Sequence, residues 1–372
     1  MTVDPAVELL LLMARRQVEP AAGERAAELI TAGLDWDYFL SQARRHRVLP
    51  LVGRNLDRLH LFELDKYLYD ARDTCRAVYL YHRARNEALQ RELIEITPAL
   101  RREVPAVAVR KGLYLAAHIY RDLGIRPMAD MDLLMTRADS ARAIVVLGDL
   151  GYQGGDTTPD SRRVRPLPRD QAVFWRLHVN NLPPVFRTTS DPVVGEFIID
   201  ICVGLFLPRS EFTVPTEEVL ERAEPVRFGD VEVLVPAPED LVLDLCAHLY
   251  KESTTLRYLN GYKHQRLIQY CDLREVLAVH GDAGFWSRFS ARVAGYGVSL
   301  VAYFALAHLE QLFPGTVPAA VLAGLGAEAS PTFLDEYGAV DRAEPVVWTT
   351  DFVTRTFAAS RPVGLPTSAS PV

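Results

Sequence analysis

Lysine is almost missing from this chain of 372 residues: Lys66, Lys111, Lys251 and Lys263 are all it has, and arginine supplies the rest of the basic charge. The formal net charge is −7. A chain so balanced has no broad field for capturing nucleic acid or an anionic membrane, which leaves a local basic pocket and a small or protein substrate as the better fit. Cysteine is equally scarce. Cys75, Cys202, Cys246 and Cys271 are scattered without paired spacing, which argues against a zinc site and points to reduced thiols in a cytoplasm. No apolar run approaches the length of a membrane span. The start, MTVDPAVELLLLMARR, carries an apolar run that is too short and preceded by an acid, the pattern of an amphipathic helix and not of a signal peptide. Internal repeats and low-complexity blocks are absent as well. What remains is 49% hydrophobic and 24% charged residues, over a length sufficient for two or three domains with a sizeable core.

Helical texture runs from residue 5 to about 102. Asp35 reads as the N-cap of LDWDYFLSQARRHRVLPLVGRNL, whose helical spacing breaks at Pro50 before resuming. KYLYDARDTCRAVYLYHRARNEALQRELIEI is a long amphipathic helix without internal Gly or Pro. The pattern then changes to a short β-rich run at 104–110 and a helix, KGLYLAAHIYRDLG, closed by Gly124. A strand at 126–135 and a helix near 138–150 come next. Loops around 154–170 and 182–194 flank AVFWRLHV, and the strand GEFIIDICVG and a hairpin at Gly229 complete an α/β region. From Pro236 helices return, near 238–251, 264–280, 283–295 and 298–313, before a tail expected to fray. The organisation expected is therefore helical over 1–102, α/β over 103–235, helical over 236–315, and an extension over 316–372.

The stretch RPMADMDLLM, residues 126–135, places two aspartates one residue apart at the mouth of an apolar run. With period two, Asp130, Asp132 and Leu134 share one strand face while Met131, Leu133 and Met135 share the other. Two carboxylates on one face repel, and burying them requires a cation, an arginine or open water. Mg²⁺ meets that need with oxygen ligands and commonly completes its shell with substrate phosphates, which makes a nucleotide site the hypothesis to test.

The order of motifs is informative beyond this pair. A strand ending in RKG, a helix, R-x-x-x-D-x-D-L-L on a second strand and an acid within FIIDI on a third together resemble the nucleotidyltransferase fold of the DNA polymerase β superfamily. More narrowly the chain resembles the bacterial "uncharacterised nucleotidyltransferase" family, whose members carry an lKG turn, an lR-x-x-x-DiDLLV strand, a later D-l-H strand and helical segments on either side. The likeness extends to ARRHRVLPLV (43–52) and VPAPEDLVLDLCAHLYK (235–251), and so covers roughly residues 35–315.

The resemblance implies an α+β fold, a polymerase β-like core of mixed sheet and helices between N- and C-terminal helical segments. It implies Asp130, Asp132 and Asp200 as catalytic metal ligands for Mg²⁺ or Mn²⁺, with Glu196 a rival for the third position four residues earlier on the same strand face. Where the superfamily more often has Gly-Ser against the triphosphate, this chain has Lys111 and Gly112 followed by Leu113. Phosphate recognition then shifts to Lys111, the Gly112 amide and Arg126, which would offset charge on the departing pyrophosphate. His248, Lys251, Lys263 and Arg266 are further candidates for nucleotide contact. Cys202 stands where relatives commonly have histidine. The activity implied is transfer of a nucleoside monophosphate from a nucleoside triphosphate, with ATP the expected donor, through in-line displacement of pyrophosphate. A small-molecule or biosynthetic-intermediate acceptor is favoured by the acidic overall charge. The alternatives are a tRNA- or protein-modifying transferase of toxin type and a degenerate nucleotide-binding scaffold, with nucleic acid a less favoured partner and no membrane partner. Arg162, Arg163, Arg165 and Arg169 read as a solvated loop, His118 as a packing residue, His178 as a possible neighbour of the site, and Met128, Met131 and Met135 as packing residues.

Overall fold

The computed structural model describes residues 4–358 apart from 159, 161–162, 209 and 343; Arg162 and the tail at 360–372 lie outside the described residues. The chain opens with α1 (Pro5–Met13), α2 (Pro20–Ala32), α3 (Trp36–Arg45) and α4 (Leu49–Arg58). Asp35 caps α3 as expected, its side chain accepting from the Tyr38 amide at 2.9 Å. The break before α4 is not made by Pro50, which sits in the first turn of α4, where its missing N–H costs nothing. It is made at Arg47, whose φ of 59° is left-handed.

The next helix, α5 (Lys66–Glu103), is a strut of 38 residues that continues through Pro98, beyond the stretch free of proline. Leu68 and Cys75 in its first half belong to one hydrophobic cluster, shared with α1 to α4 and the C-terminal helices. Leu89, Leu93, Ile96 and Leu100 in its second half belong to another, which lies under the sheet.

That sheet is built from β1 (Ala108–Val109), β2 (Met131–Leu134), β3 (Gln153–Gly154), then, beyond a small separate hairpin of β4 (Asp156–Thr157) and β5 (Val164–Arg165), β6 (Val185–Thr188), β7 (Glu196–Cys202), β8 (Glu224–Phe228) and β9 (Val231–Val235). Its order is β3-β6-β7-β2-β1-β9-β8, and it is mixed: β2 runs parallel to β7 and β1 to β9, while the other neighbours are antiparallel. The hairpin turn between β8 and β9 uses Gly229 at φ 60°, the left-handed position that glycine takes without a Cβ penalty. Alternation sorts the strand residues: Val109, Leu133, Ile199, Ile201 and Val233 pack with α5 and with α7 (Arg137–Asp149), whereas Ala108, Leu134 and Cys202 face the helical cluster. Connecting these strands are α6 (Lys111–Tyr114), α8 (Arg169–His178) and α9 (Thr216–Glu221). The helix expected to end at Gly124 stops at Tyr120, because α6 runs into a π turn over Leu115–Ile119 and Arg121 takes a left-handed φ of 58°.

With the face carrying Leu134 and Cys202 pack α10 (Pro238–Thr254), α12 (Leu267–His280), α13 (Ala283–Gly295) and α14 (Ser299–Leu312) in one cluster, while the short α11 (Leu256–Asn260) packs its Leu256 and Leu259 with Tyr337. α10 is buried along nearly its whole length, with Leu241, Val242, Cys246 and Leu249 at its core. No helix among the described residues is long and apolar enough to cross a membrane.

Candidate active site

Strand pairing brings the acidic residues together. In the parallel β2–β7 register Asp132 is the direct partner of Asp200, and Leu134 that of Cys202. Both aspartates therefore leave the sheet on the helix-covered side, and Asp130 sits two residues before Asp132, just outside the strand. All three line one cleft of about 470 Å³ between the sheet end and the helices. Glu196 shares the face of Asp200 by parity but pairs with Thr188 four residues back and does not line the cleft.

The cost of this grouping shows in the carboxyl groups themselves. Burial, then the charge of Asp132, raises Asp130 above the usual carboxylate range. Burial, then Asp130 and Asp132, pushes Asp200 up to about 7 against the opposing pull of Lys111 and a hydrogen bond from Asn181 Nδ2 at 3.3 Å.

Basic groups surround the acids. Arg110 donates its backbone N–H to the Asp132 carbonyl at 3.0 Å, which locks the start of α6 to β2. Its guanidinium is buried in a two-point ion pair with Asp244 of α10, with Nε 2.7 Å from Oδ2. The next residue, Lys111, places Nζ 3.7 Å from Asp132 Oδ1 and 3.3 Å from His248 Nδ1. Burial is the largest influence and works against its charge, yet the carboxylates of Asp132 and Asp244 among the negative groups around it hold the ammonium above its ordinary value. The same burial and the Lys111 charge keep His248 neutral, so its ring can accept from Lys111. Gly112 follows in tight contact: a Cβ there would lie 3.2 Å from Met128 Sδ.

Arg126 lines the cleft but is not free. It makes a forked pair with Asp272 of α12, Nε to Oδ1 at 2.9 Å and Nη2 to Oδ2 at 2.7 Å. Lys251 also lines the cleft, its Nζ 3.3 Å from Asn180 Oδ1, and burial followed by repulsion from Lys111 and Arg110 lowers it to about 8. Lys263 and Arg266 stand at the cleft in the segment before α12. The structure thus brings all the candidate residues, Asp130, Asp132, Asp200, Lys111, Gly112, Arg126, Lys251, Lys263 and Arg266, to one cavity.

The remaining arginines and histidines sort differently. Arg163, Arg165 and Arg169 are exposed and away from the cleft. His118 stacks on Tyr114 and meets the edge of Phe228, a packing role. His178 stacks on Phe174 and does not line the cleft, whereas Trp175 and Val179 of the same segment do. Sequence reasoning missed Arg47, Asn180, Asn181, Arg257 and Tyr258, all at the cleft. Arg47 lay within ARRHRVLPLV, a stretch flagged by resemblance; the others carried no signal, because helix ends and loops bring them in.

Cys202 lies directly beneath the acids, with Sγ 3.8 Å from Asp132 Oδ1. Burial pushes its thiol up to about 12, so it is a neutral packing atom and no substitute for an imidazole.

The acidic set matches a hard divalent cation in kind: oxygen donors only, from opposed positions of paired strands and the residue just before one of them. The side chains do not converge, however. Among the described residues no three His, Cys, Asp or Glu side chains are gathered closely enough to hold an ion, and the Lys111 ammonium lies against Asp132.

The mixed sheet with paired acids, held between helical segments, is an α+β fold. Residues 32–314 match the family described as "Uncharacterised nucleotidyltransferase", and the chain belongs to that family. It is accordingly a transferase of nucleotidyl groups. No curated protein matches the chain.

Proposed function

We propose that this enzyme transfers a nucleoside monophosphate from a nucleoside triphosphate, with ATP the expected donor, to a small-molecule or biosynthetic-intermediate acceptor, releasing pyrophosphate. One observation carries the reading: a chain with a net charge of −7 has a cleft where basic side chains outnumber acidic ones by eight to five and where two of the acids, Asp132 and Asp200, are direct partners on paired strands with Asp130 just before them. Anionic phosphates answer the basic excess, and the cleft volume of about 470 Å³ is within the range of small-ligand sites.

Asp130, Asp132 and Asp200, once their side chains draw together, would hold Mg²⁺ or Mn²⁺, which when bound supplies Lewis-acid neutralisation of phosphate oxygens. The acceptor's oxygen or nitrogen forms a bond to the α-phosphorus as the bond from that phosphorus to the α,β-bridging oxygen breaks, and pyrophosphate leaves with the electron pair. Asp200, on the side of Asn181, takes the acceptor's proton. Lys111 and the Gly112 amide meet phosphate oxygens at the start of α6, and Lys251 adds charge from α10. Arg126, forked to Asp272, has a fixed orientation and acts as a rigid positive wall.

The test is transfer of label from α-³²P-labelled ATP and the three other ribonucleotides, with Mg²⁺, to fractionated small molecules, RNA and protein of a cell extract. Label in a small-molecule product supports the reading. Label in RNA or protein instead supports the macromolecule-modifying alternative, and no labelled product together with Mg²⁺-independent triphosphate binding supports a degenerate scaffold.

A further inference from the structure

We infer that Arg47, together with Arg266, clamps the terminal phosphates of the donor, so that the N-terminal helices complete the catalytic cleft. This rests on the reading of the cleft as a triphosphate site, and adds which end of the triphosphate goes where and which segment holds it.

Arg47 projects into the cleft from the turn between α3 and α4. Its φ of 59° is a conformation that residues with a side chain seldom adopt, and such outliers persist where the surroundings hold them. The surroundings do so here. The Arg47 amide donates to the Arg44 carbonyl at 3.0 Å and the Val48 amide to the Ala43 carbonyl at 2.9 Å. The fully buried His46 beside it accepts at Nδ1 from the Leu267 amide at 3.0 Å, and its carbonyl accepts from the Ile268 amide at 3.2 Å. Leu267 and Ile268 open α12, for which Arg266 is the N-cap residue. Gln265, just before it, is itself left-handed at φ 50°. Two turns distant in sequence, each bent into a rare backbone conformation, are therefore stitched together and present one arginine apiece to the same cleft.

The charges at this end have no direct acid partner among the described residues. Arg126 has Asp272 as its forked partner, but the guanidinium groups of Arg47 and Arg266 make no hydrogen bond or ion pair among the described residues. Arg47 is half-buried, and burial together with the charges of Arg266 and Arg126 weakens its hold on its proton, while Asp130 opposes this. Cations held near one another without a directly bonded acid are what a polyanion would repay.

In-line displacement decides which part of the ligand sits there. The attacking acceptor and the leaving pyrophosphate lie on opposite sides of the α-phosphorus, so they occupy opposite ends of the cleft. Asp200 accepts from Asn181 Nδ2 at 3.3 Å, whereas Arg47 and Arg266 lie on the two turns stitched together at the start of α12. The acceptor belongs at the Asp200 end, and the β- and γ-phosphates at the end bounded by Arg47 and Arg266.

The experiment is calorimetric titration of the full chain with ATP, inorganic pyrophosphate and AMP in the presence of Mg²⁺, for wild type, Arg47→Ala, Arg47→Gly and Arg266→Ala. Each substitution is expected to weaken ATP and pyrophosphate roughly tenfold to a hundredfold, the worth of a charged hydrogen bond, and to leave AMP unchanged. Arg47→Gly relieves the left-handed backbone and so keeps the fold while losing the guanidinium, which separates loss of a ligand contact from misfolding. Unchanged ATP and pyrophosphate affinity in the Arg47 variants, or an equal loss for AMP, overturns the clamp while leaving the triphosphate reading intact. A wild type that binds neither ATP nor pyrophosphate overturns both.

Discussion

Asp132 and Asp200 face each other as direct partners across two parallel strands, and no basic side chain among the described residues forms an ion pair with Asp200. The arrangement holds two like charges at neighbouring positions of a buried sheet end, and its cost is borne by the protein before any ligand arrives.

A stability measurement reads that cost. The Asp200 carboxyl is raised to about 7 by burial first and by Asp130 and Asp132 next, whereas an unfolded aspartate titrates near its ordinary value of 3.8. A carboxyl raised on folding destabilises the native state only where the unfolded chain has already lost its proton. The penalty is therefore absent below about pH 4, grows between pH 4 and 7, and is complete above 7. Asp200→Asn should be more stable than wild type at pH 8, by about 1–4 kcal/mol, and equal to it at pH 4. Thermal melts at the two pH values check this, and added Mg²⁺ at pH 8 should narrow the gap by stabilising wild type alone.

The third carboxylate can be separated from its rival by activity. Asp200→Asn should lower pyrophosphate release from ATP by about 10²-fold or more, the usual loss for a positioned base or ligand. Glu196→Gln, at a position that pairs in strand register with Thr188 outside the cleft, should stay within about twofold of wild type. The reverse ranking would transfer the role to Glu196.

Removing one member of the Arg126–Asp272 fork leaves a buried charge alone. Asp272 is 2% exposed, and its two oxygens both accept from Arg126. Asp272→Asn should cost about 3–5 kcal/mol in urea unfolding, whereas the double replacement Arg126→Met/Asp272→Leu should recover much of it, because the desolvation penalty goes with the pair.

Thiol titration offers a simple check on the packing. Cys75, Cys202, Cys246 and Cys271 are all free and buried, and burial raises each thiol above its ordinary value. None of the four should react with a disulfide reagent in the native protein at pH 8 over minutes, and all four should react in denaturant.

Much of this site was legible because Asp132 and Asp200 sit on strands, with Asp130 just before one of them. Period two suggested that Asp130 and Asp132 share a face, and the apolar run around Asp200 marked a second strand; the β2–β7 register makes Asp132 and Asp200 direct partners. Lys111 was legible for a similar reason, as the first residue after a β-rich run. Arg47 was not, because a left-handed break between two helices looks like any helix end, and Pro50, a few residues on, offered a more conspicuous cause. Nor could sequence reveal that Arg126 is occupied by Asp272, a partner 146 residues away on α12. The π turn that cut α6 short of Gly124 was equally invisible, since its residues keep ordinary helical spacing. Local chemistry carried the acids; long-range packing supplied the arginines and asparagines around them.

The most direct test of the account is calorimetric binding of each of the four ribonucleoside triphosphates, with and without Mg²⁺, to wild type and to Asp130→Asn/Asp132→Asn. The account predicts binding of at least one triphosphate that requires the metal and is lost in the double variant. Triphosphate binding that is independent of the metal, or that survives in the double variant, would contradict it.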